Sequence, residues 1–136
     1  MNVTEDVVRV PIDADADVVT ARQRARAMGE GLGFGSTDLT LLATAISEVA
    51  RNITAYAERG EICLRVVRSR GREGIEVVAR DDGPGISDVE LALQDGYTTG
   101  GGLGLGLPGA RRLVDEFDIR TAPQTGTTVT LVKWSR

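Results

Sequence analysis

Asp81-Asp82-Gly83-Pro84-Gly85-Ile86 and, further on, Gly102-Leu103-Gly104-Leu105-Gly106-Leu107 decide how this chain is read. Seven of its 17 glycines fall between positions 96 and 109. Glycine weakens any helix or strand it occupies, because the unfolded chain loses more freedom there and no side chain packs. Such density marks either a slack linker or a backbone that must come very close to something. Flexible linkers are polar and Gly/Ser-rich, whereas here Leu103, Leu105 and Leu107 alternate with the glycines. The stretch therefore reads as a ligand-contacting loop that enters a helix, an arrangement suited to phosphate.

Upstream of Asp81, two β-rich runs, Glu61 to Val67 and Gly74 to Ala79, are joined by Arg68-Ser-Arg-Gly-Arg-Glu73, a hairpin connection. The second run leads straight into Asp81. A strand end holds a carboxylate rigidly, and the Gly-Pro-Gly that follows leaves room beside it. Before the hairpin, Leu39, Leu42, Ile46, Val49 and Ile53 recur at steps of three and four and predict a helix over 37–59. Glu48 and Asn52 lie one above the other on a different face of that helix, among Leu41, Ala45 and Tyr56. The residues alone leave two readings open: a solvent-exposed polar pair, or a pair kept for chemistry.

The remaining elements follow from pattern. Val3 to Ile12 reads as a first, edge strand, and a helix over 16–32 carries Val18, Val19, Ala21, Ala25 and Met28. Asp13 or Asp15 caps this helix, and Ser36 or Thr37 the next. After Ile86, Ser87 to Glu90 suggests a short capped helix, and 87–101, with Tyr97-Thr98-Thr99, has the character of a lid. Gly106-Leu107-Pro108 opens a third helix, with proline in the first turn, that runs to about Phe117. Ile119 to Ala122 and Thr127 to Lys133 form a last strand pair, with Trp134 at the sheet's end. The order predicts an α+β fold: a two-layer sandwich whose mixed, mostly antiparallel sheet is covered by helices on one face. It is not a doubly wound Rossmann pattern.

Bulk properties narrow the functions. The 136 residues are expected to form one domain, 1–136. No apolar run approaches the length of a membrane span, and the N-terminus lacks a secretion signal, so a cytoplasmic protein is expected, with no membrane partner. A net charge of −4 without a basic stripe disfavours nucleic acid. Cys63, inside an apolar strand pattern, is expected as a small core residue. With no histidine in the chain, Ser-His-Asp and Cys-His sites cannot be built, and any metal is oxygen-bound, hence magnesium or calcium.

Three patterns now line up: Glu48-x-x-x-Asn52 on a helix, Asp81-x-Gly83-x-Gly85 after a strand, and Gly102-x-Gly104-x-Gly106 before another helix. In this order and on these elements the chain resembles the GHKL superfamily of ATPases and kinases (the Bergerat fold), with its N, G1 and G2 boxes. Within that superfamily it is similar to the small anti-sigma regulatory serine/threonine kinases of stressosome-type switches. Ile46-Ser-Glu-Val-Ala-Arg-Asn-Ile53, Asp82 to Ile86, Gly101 to Gly109 and Lys133-Trp134 carry that likeness, which runs essentially end to end.

The resemblance implies a set of roles. Asp81 would accept a hydrogen bond from the adenine amino group of ATP, beside Gly83, Gly85 and Ile86. Asn52 would ligate Mg²⁺. Gly102, Gly104, Leu105 and Gly106 would surround the phosphates with backbone N–H groups. Glu48 would be the general base, and Thr127 would stand beside the adenine. Two departures stand out: Ala55 occupies a position where many sensor histidine kinases carry lysine, and 86–109 holds no Lys or Arg. Mg²⁺, backbone dipoles and Arg51, Arg111 or Arg112 would then neutralise the triphosphate, although Arg51 reads equally as a solvated helix arginine. The resemblance further implies a kinase acting on a STAS-domain antagonist in a partner-switching cascade, with a PP2C-type phosphatase as a second partner. The alternative is an ATP-binding anti-sigma factor that sequesters a sigma factor.

Overall fold

A computed structural model of the chain describes residues 2–3, 6–57, 59–83, 106–122 and 126–135. In chain order these form β1 (Asn2–Val3), β2 (Val8–Ile12), α1 (Asp15–Gly31), α2 (Ser36–Tyr56), β3 (Gly60–Ser69), β4 (Arg72–Asp81), α3 (Gly106–Leu113), β5 (Glu116–Ala122) and β6 (Gly126–Trp134). The sheet order is β1-β3-β4-β6-β5, with β2 also paired to β3. Every described pairing is antiparallel. The expected first strand is thus two short pieces on one edge: Asn2 and Val3 lie opposite Arg68 and Val67, and Val8 to Ile12 opposite Leu64 to Gly60. Pro11 fits β2 because an edge strand leaves an N–H unused.

Alternation sorts the side chains. Ile62, Leu64, Ile75, Val77, Ala79, Val129 and Leu131 face the helices in one core with Leu39, Leu42, Ile46, Val49 and Ile53 of α2. All five predicted stripe residues of α2 are buried, none more than 5% exposed. Ala43, Ser47 and Ala50 are buried as well, because α2 packs between α1 and α3 and is covered on more than one side. In α1 the buried positions are Val18, Ala21, Ala25 and Gly29. Small residues there let the helices approach: a Cβ on Gly29 would stand 2.5 Å from Leu39 Cδ2. Val19, one position off that stripe, is 41% exposed.

Four other expectations are corrected. The cap of α1 is Ala14, and Asp17 in its first turn accepts the backbone N–H groups of Asp13 and Ala14 at 2.8 and 3.0 Å. The cap of α2 is Gly35, in extended conformation. The third helix ends at Leu113, and Phe117 belongs to β5, whose run begins at Glu116. Cys63 stands outside the core: as the neighbour of buried Ile62 and Leu64 it points to the opposite face of the sheet, half-buried, with Arg9 Nη1 3.9 Å from its Sγ. On that outer face Arg65 and Glu76, directly opposite each other, pair at 2.6 Å, and Val67, Val132 and Trp134 form a second small apolar cluster. No helix among the described residues is long and apolar enough to cross a membrane.

Candidate functional site

Asp81 is the last residue of β4, paired with Thr127 of β6 on one side and Gly60 of β3 on the other. Both neighbours are tight. A Cβ on Gly60 would strike the Arg80 carbonyl, and one on Gly126, at φ 92°, the carbonyl of Asp81 itself. Glycine at both positions lets three strand ends close around one carboxylate. That carboxylate is buried, and its Oδ1 accepts two backbone N–H groups, from Gly83 at 2.9 Å and Thr127 at 3.3 Å. Oδ2 makes no hydrogen bond among the described residues. No buried side-chain oxygen there lacks a partner, so Oδ2 is not sealed from solvent. One oxygen is anchored by the fold, and the other is free to accept an external N–H.

The turn after Asp81 leans on α2. A Cβ on Gly83 would come within 2.7 Å of Ala57 Cβ, just past the end of that helix. The last turns of α2, which carry Glu48, Arg51 and Asn52, therefore approach the Asp81 end of the sheet. The Glu48 side chain is only 11% exposed, while Arg51, at 59%, places Nη1 3.6 Å from Glu48 Oε1. Asn52 is half-buried. Glu48 is thus no solvated surface residue, which removes the simplest form of the bland reading.

Lys133 fixes the direction of α3. Its Nζ donates to the Leu113 carbonyl at 3.0 Å and lies 3.7 Å from Asp38 Oδ1. The C-terminal end of α3 is therefore beside the start of α2, and the N-terminal end of α3, at Gly106, points back along α2 toward the Asp81 end. Its positive dipole end faces that way. Arg111 and Arg112 stand in the last turn of α3, away from the helix N-terminus. Gly85, Ile86, Gly102, Gly104, Leu105 and the expected lid lie outside the described residues.

Thr127 is 5% exposed, and its Oγ1 is 3.0 Å from Oγ1 of Thr121, which also donates to the Gly126 carbonyl at 3.1 Å. Sequence reasoning missed Thr121, Gly60 and Lys133. Only the strand register, which puts Thr121 opposite Thr127 and Gly60 opposite Asp81, makes the first two visible. No group of three or more His, Cys, Asp or Glu that could hold a metal occurs among the described residues. The one oxygen on hand is the side-chain amide oxygen of half-buried Asn52, a ligand type that a hard ion such as magnesium accepts beside phosphate and water.

This fold and site define a class. Residues 10–133 match the histidine kinase-like ATPase domain, and the chain belongs to that family. It is similar to the serine/threonine-protein kinase RsbT of Bacillus subtilis, 46% identical over 102 residues that span 75% of this chain and 77% of that one. It is also similar to the anti-sigma F factor of Halalkalibacterium halodurans, at 34% identity over 71% of this chain and 69% of the relative. Among solved structures, the RsbU and RsbW domains of Rv1364c from Mycobacterium tuberculosis share the fold at TM-score 0.64 and 22% identity, covering 96% of this chain and 33% of that one. The mycobacterial sensor histidine kinase MprB does so at 0.58, again at 22% identity, covering 95% and 99%.

Proposed function

We propose that this chain is an ATP-dependent protein serine/threonine kinase whose substrate is a STAS-domain antagonist in a partner-switching stress cascade. The observation that carries the reading is the largely buried Glu48 carboxylate one helical turn from Asn52, on a helix that ends against the Asp81 turn. A pure binding protein has no use for a buried base beside its nucleotide.

Asp81 Oδ2 accepts the adenine amino group, and guanine, which offers a carbonyl at that position, finds no partner. Thr127 stands beside the ring, with Gly83, Gly85 and Ile86 along its face. Gly102, Gly104, Leu105 and Gly106, with the N-terminus of α3, present N–H groups to the phosphates. Asn52 would hold Mg²⁺ through its carbonyl oxygen, and the ion would supply neutralisation of the phosphate charge. Glu48 accepts the proton of the acceptor hydroxyl as that oxygen bonds to the γ-phosphorus and the bond to ADP breaks. Arg51, already at the Glu48 carboxylate, adds positive charge where 86–109 has none.

The likeness to RsbT and to anti-sigma factors supports the STAS partner, with a PP2C-type phosphatase as the protein engaged when the kinase is released. Such a switch operates in the cytoplasm. A second reading, sequestration of a sigma factor, draws on the anti-sigma F relatives. The test is to mix the chain with a STAS-domain protein and γ-labelled ATP. Label on a serine or threonine of the STAS protein is expected. ATP binding and sigma-factor capture without any transfer would favour the second reading.

A further inference from the structure

The end of the molecule away from Asp81 carries a basic corner that the nucleotide chemistry does not use. The β3–β4 hairpin closes through Arg70 and Gly71, both at positive φ, 53° and 78°, between the paired residues Ser69 and Arg72. This two-residue turn favours Asn or Gly at its first position, because a Cβ is strained there. An arginine in that place is the costlier choice, and its exposed side chain makes no hydrogen bond or ion pair among the described residues. Strain at an exposed position points to a role outside the fold.

Arg72 is held differently. Its guanidinium lies 5.0 Å from the centre of the Trp134 ring. Trp134 is itself locked: Nε1 donates to Glu116 at 2.7 Å, its backbone N–H to Asp115 at 2.8 Å, and its ring covers Gly74, where a Cβ would come within 2.7 Å of it. A stacked arginine keeps its planar donor fork outward with little freedom left to lose on binding. Arg68, 2.8 Å from Glu73, leaves the hairpin on the other face of the sheet, by the alternation of β3, and residues 68–73 together line a recess of ≈ 490 Å³ at the hairpin's tip. Ten residues of β4 separate this corner from Asp81, about 30 Å at strand rise.

We infer that Arg68, Arg70 and Arg72 form a docking surface for an acidic segment of a partner protein, at the pole opposite the nucleotide. Carboxylates match the corner's own chemistry, since Arg68 and Arg65 already pair with Glu73 and Glu76. An extended polyanion such as DNA or an anionic membrane suits it less than a short peptide, because a large surface faces the rest of the chain, of net charge −4, as well as the hairpin. This inference is independent of the kinase reading, because the hairpin touches no residue assigned to ATP.

The test uses the full chain and a fluorescent octaglutamate peptide, followed by anisotropy. Wild type is expected to bind, more weakly as salt rises. Arg68→Glu/Arg70→Glu/Arg72→Glu is expected to bind about tenfold more weakly or worse, with ADP affinity unchanged. Arg70→Asn gives a second readout: a higher melting temperature, because the turn strain is relieved, together with weaker peptide binding. Equal binding by wild type and both variants, no binding by wild type, or tighter binding to duplex DNA or phosphatidylserine vesicles than to the peptide would overturn the inference.

Discussion

At the scale of the residue, Asp81 shows how the fold assigns work to single atoms. Its Oδ1 is occupied by the N–H groups of Gly83 and Thr127, so an asparagine there keeps its carbonyl on that side and turns its NH₂ to where Oδ2 stood. In the proposed adenine contact a donor then meets the amino donor. Asp81→Asn is expected to fold normally and to lose at least about 1–3 kcal/mol of nucleotide affinity, the cost of an unpaired group in a closed site. Calorimetric titration with ADP and magnesium checks this; unchanged affinity would remove Asp81 from the adenine site. Cys63 is the contrasting case. Burial, and next the Glu61 carboxylate, push its thiol pKa up. A raised folded-state value keeps the thiol neutral, so the stability it contributes is present below the unfolded-state pKa and lost as pH rises through the folded one. Alkylation by iodoacetamide near pH 8 should be slower than for free cysteine; an equal rate would show the thiol to be unshielded. Sequence alone placed Cys63 in the core because its neighbours are apolar, yet in a strand neighbours in sequence face opposite ways.

At the scale of the element, α2 is both the wall of the core and the carrier of Glu48, Arg51 and Asn52. Ile46 is fully buried two residues before Glu48. Ile46→Ala is expected to cost about 2–5 kcal/mol of stability by urea unfolding, since the cavity adds to the lost transfer energy. A cost near zero would mean that the helix repacks and does not fix its polar face. This helix was legible in sequence because five large residues keep one helical period. The end of α3 was not. Leu113, Val114 and Phe117 also fit a helical spacing, but the Asp115 N–H already donates to the Val132 carbonyl at 2.9 Å, so strand pairing takes over there. Lys133 marks the same boundary, capping α3 through the Leu113 carbonyl. Lys133→Met should cost about 1–2 kcal/mol, from a lost charged hydrogen bond at the negative end of the helix, read as a lower urea midpoint; an unchanged midpoint would make the cap decorative.

At the scale of the whole molecule, antiparallel strands put the two proposed sites at two ends. One pole gathers Asp81, Thr127, Gly60, Gly126 and the last turns of α2; the other gathers the arginine hairpin and Trp134. The order of elements, the single-sided helix layer and the identity of Glu48, Asn52 and Asp81 as candidates were readable from pattern, because each rests on local periodicity or on glycine next to a carboxylate. The contacts around Asp81 were not, because Gly60 and Thr121 acquire meaning only through the register that sets them against Asp81 and Thr127. The central claim is that the largely buried carboxylate of Glu48 does chemistry on nucleotide held by its neighbours. The most direct test is single-turnover phosphorylation of a STAS-domain partner by wild type, Glu48→Gln and Asn52→Ala, with ATP affinity measured in parallel. Asn52→Ala should lose magnesium-dependent affinity. Glu48→Gln should bind ATP near wild type and transfer phosphate about 10²–10⁴-fold more slowly, the usual worth of a positioned base. Transfer by Glu48→Gln at the wild-type rate would contradict the account.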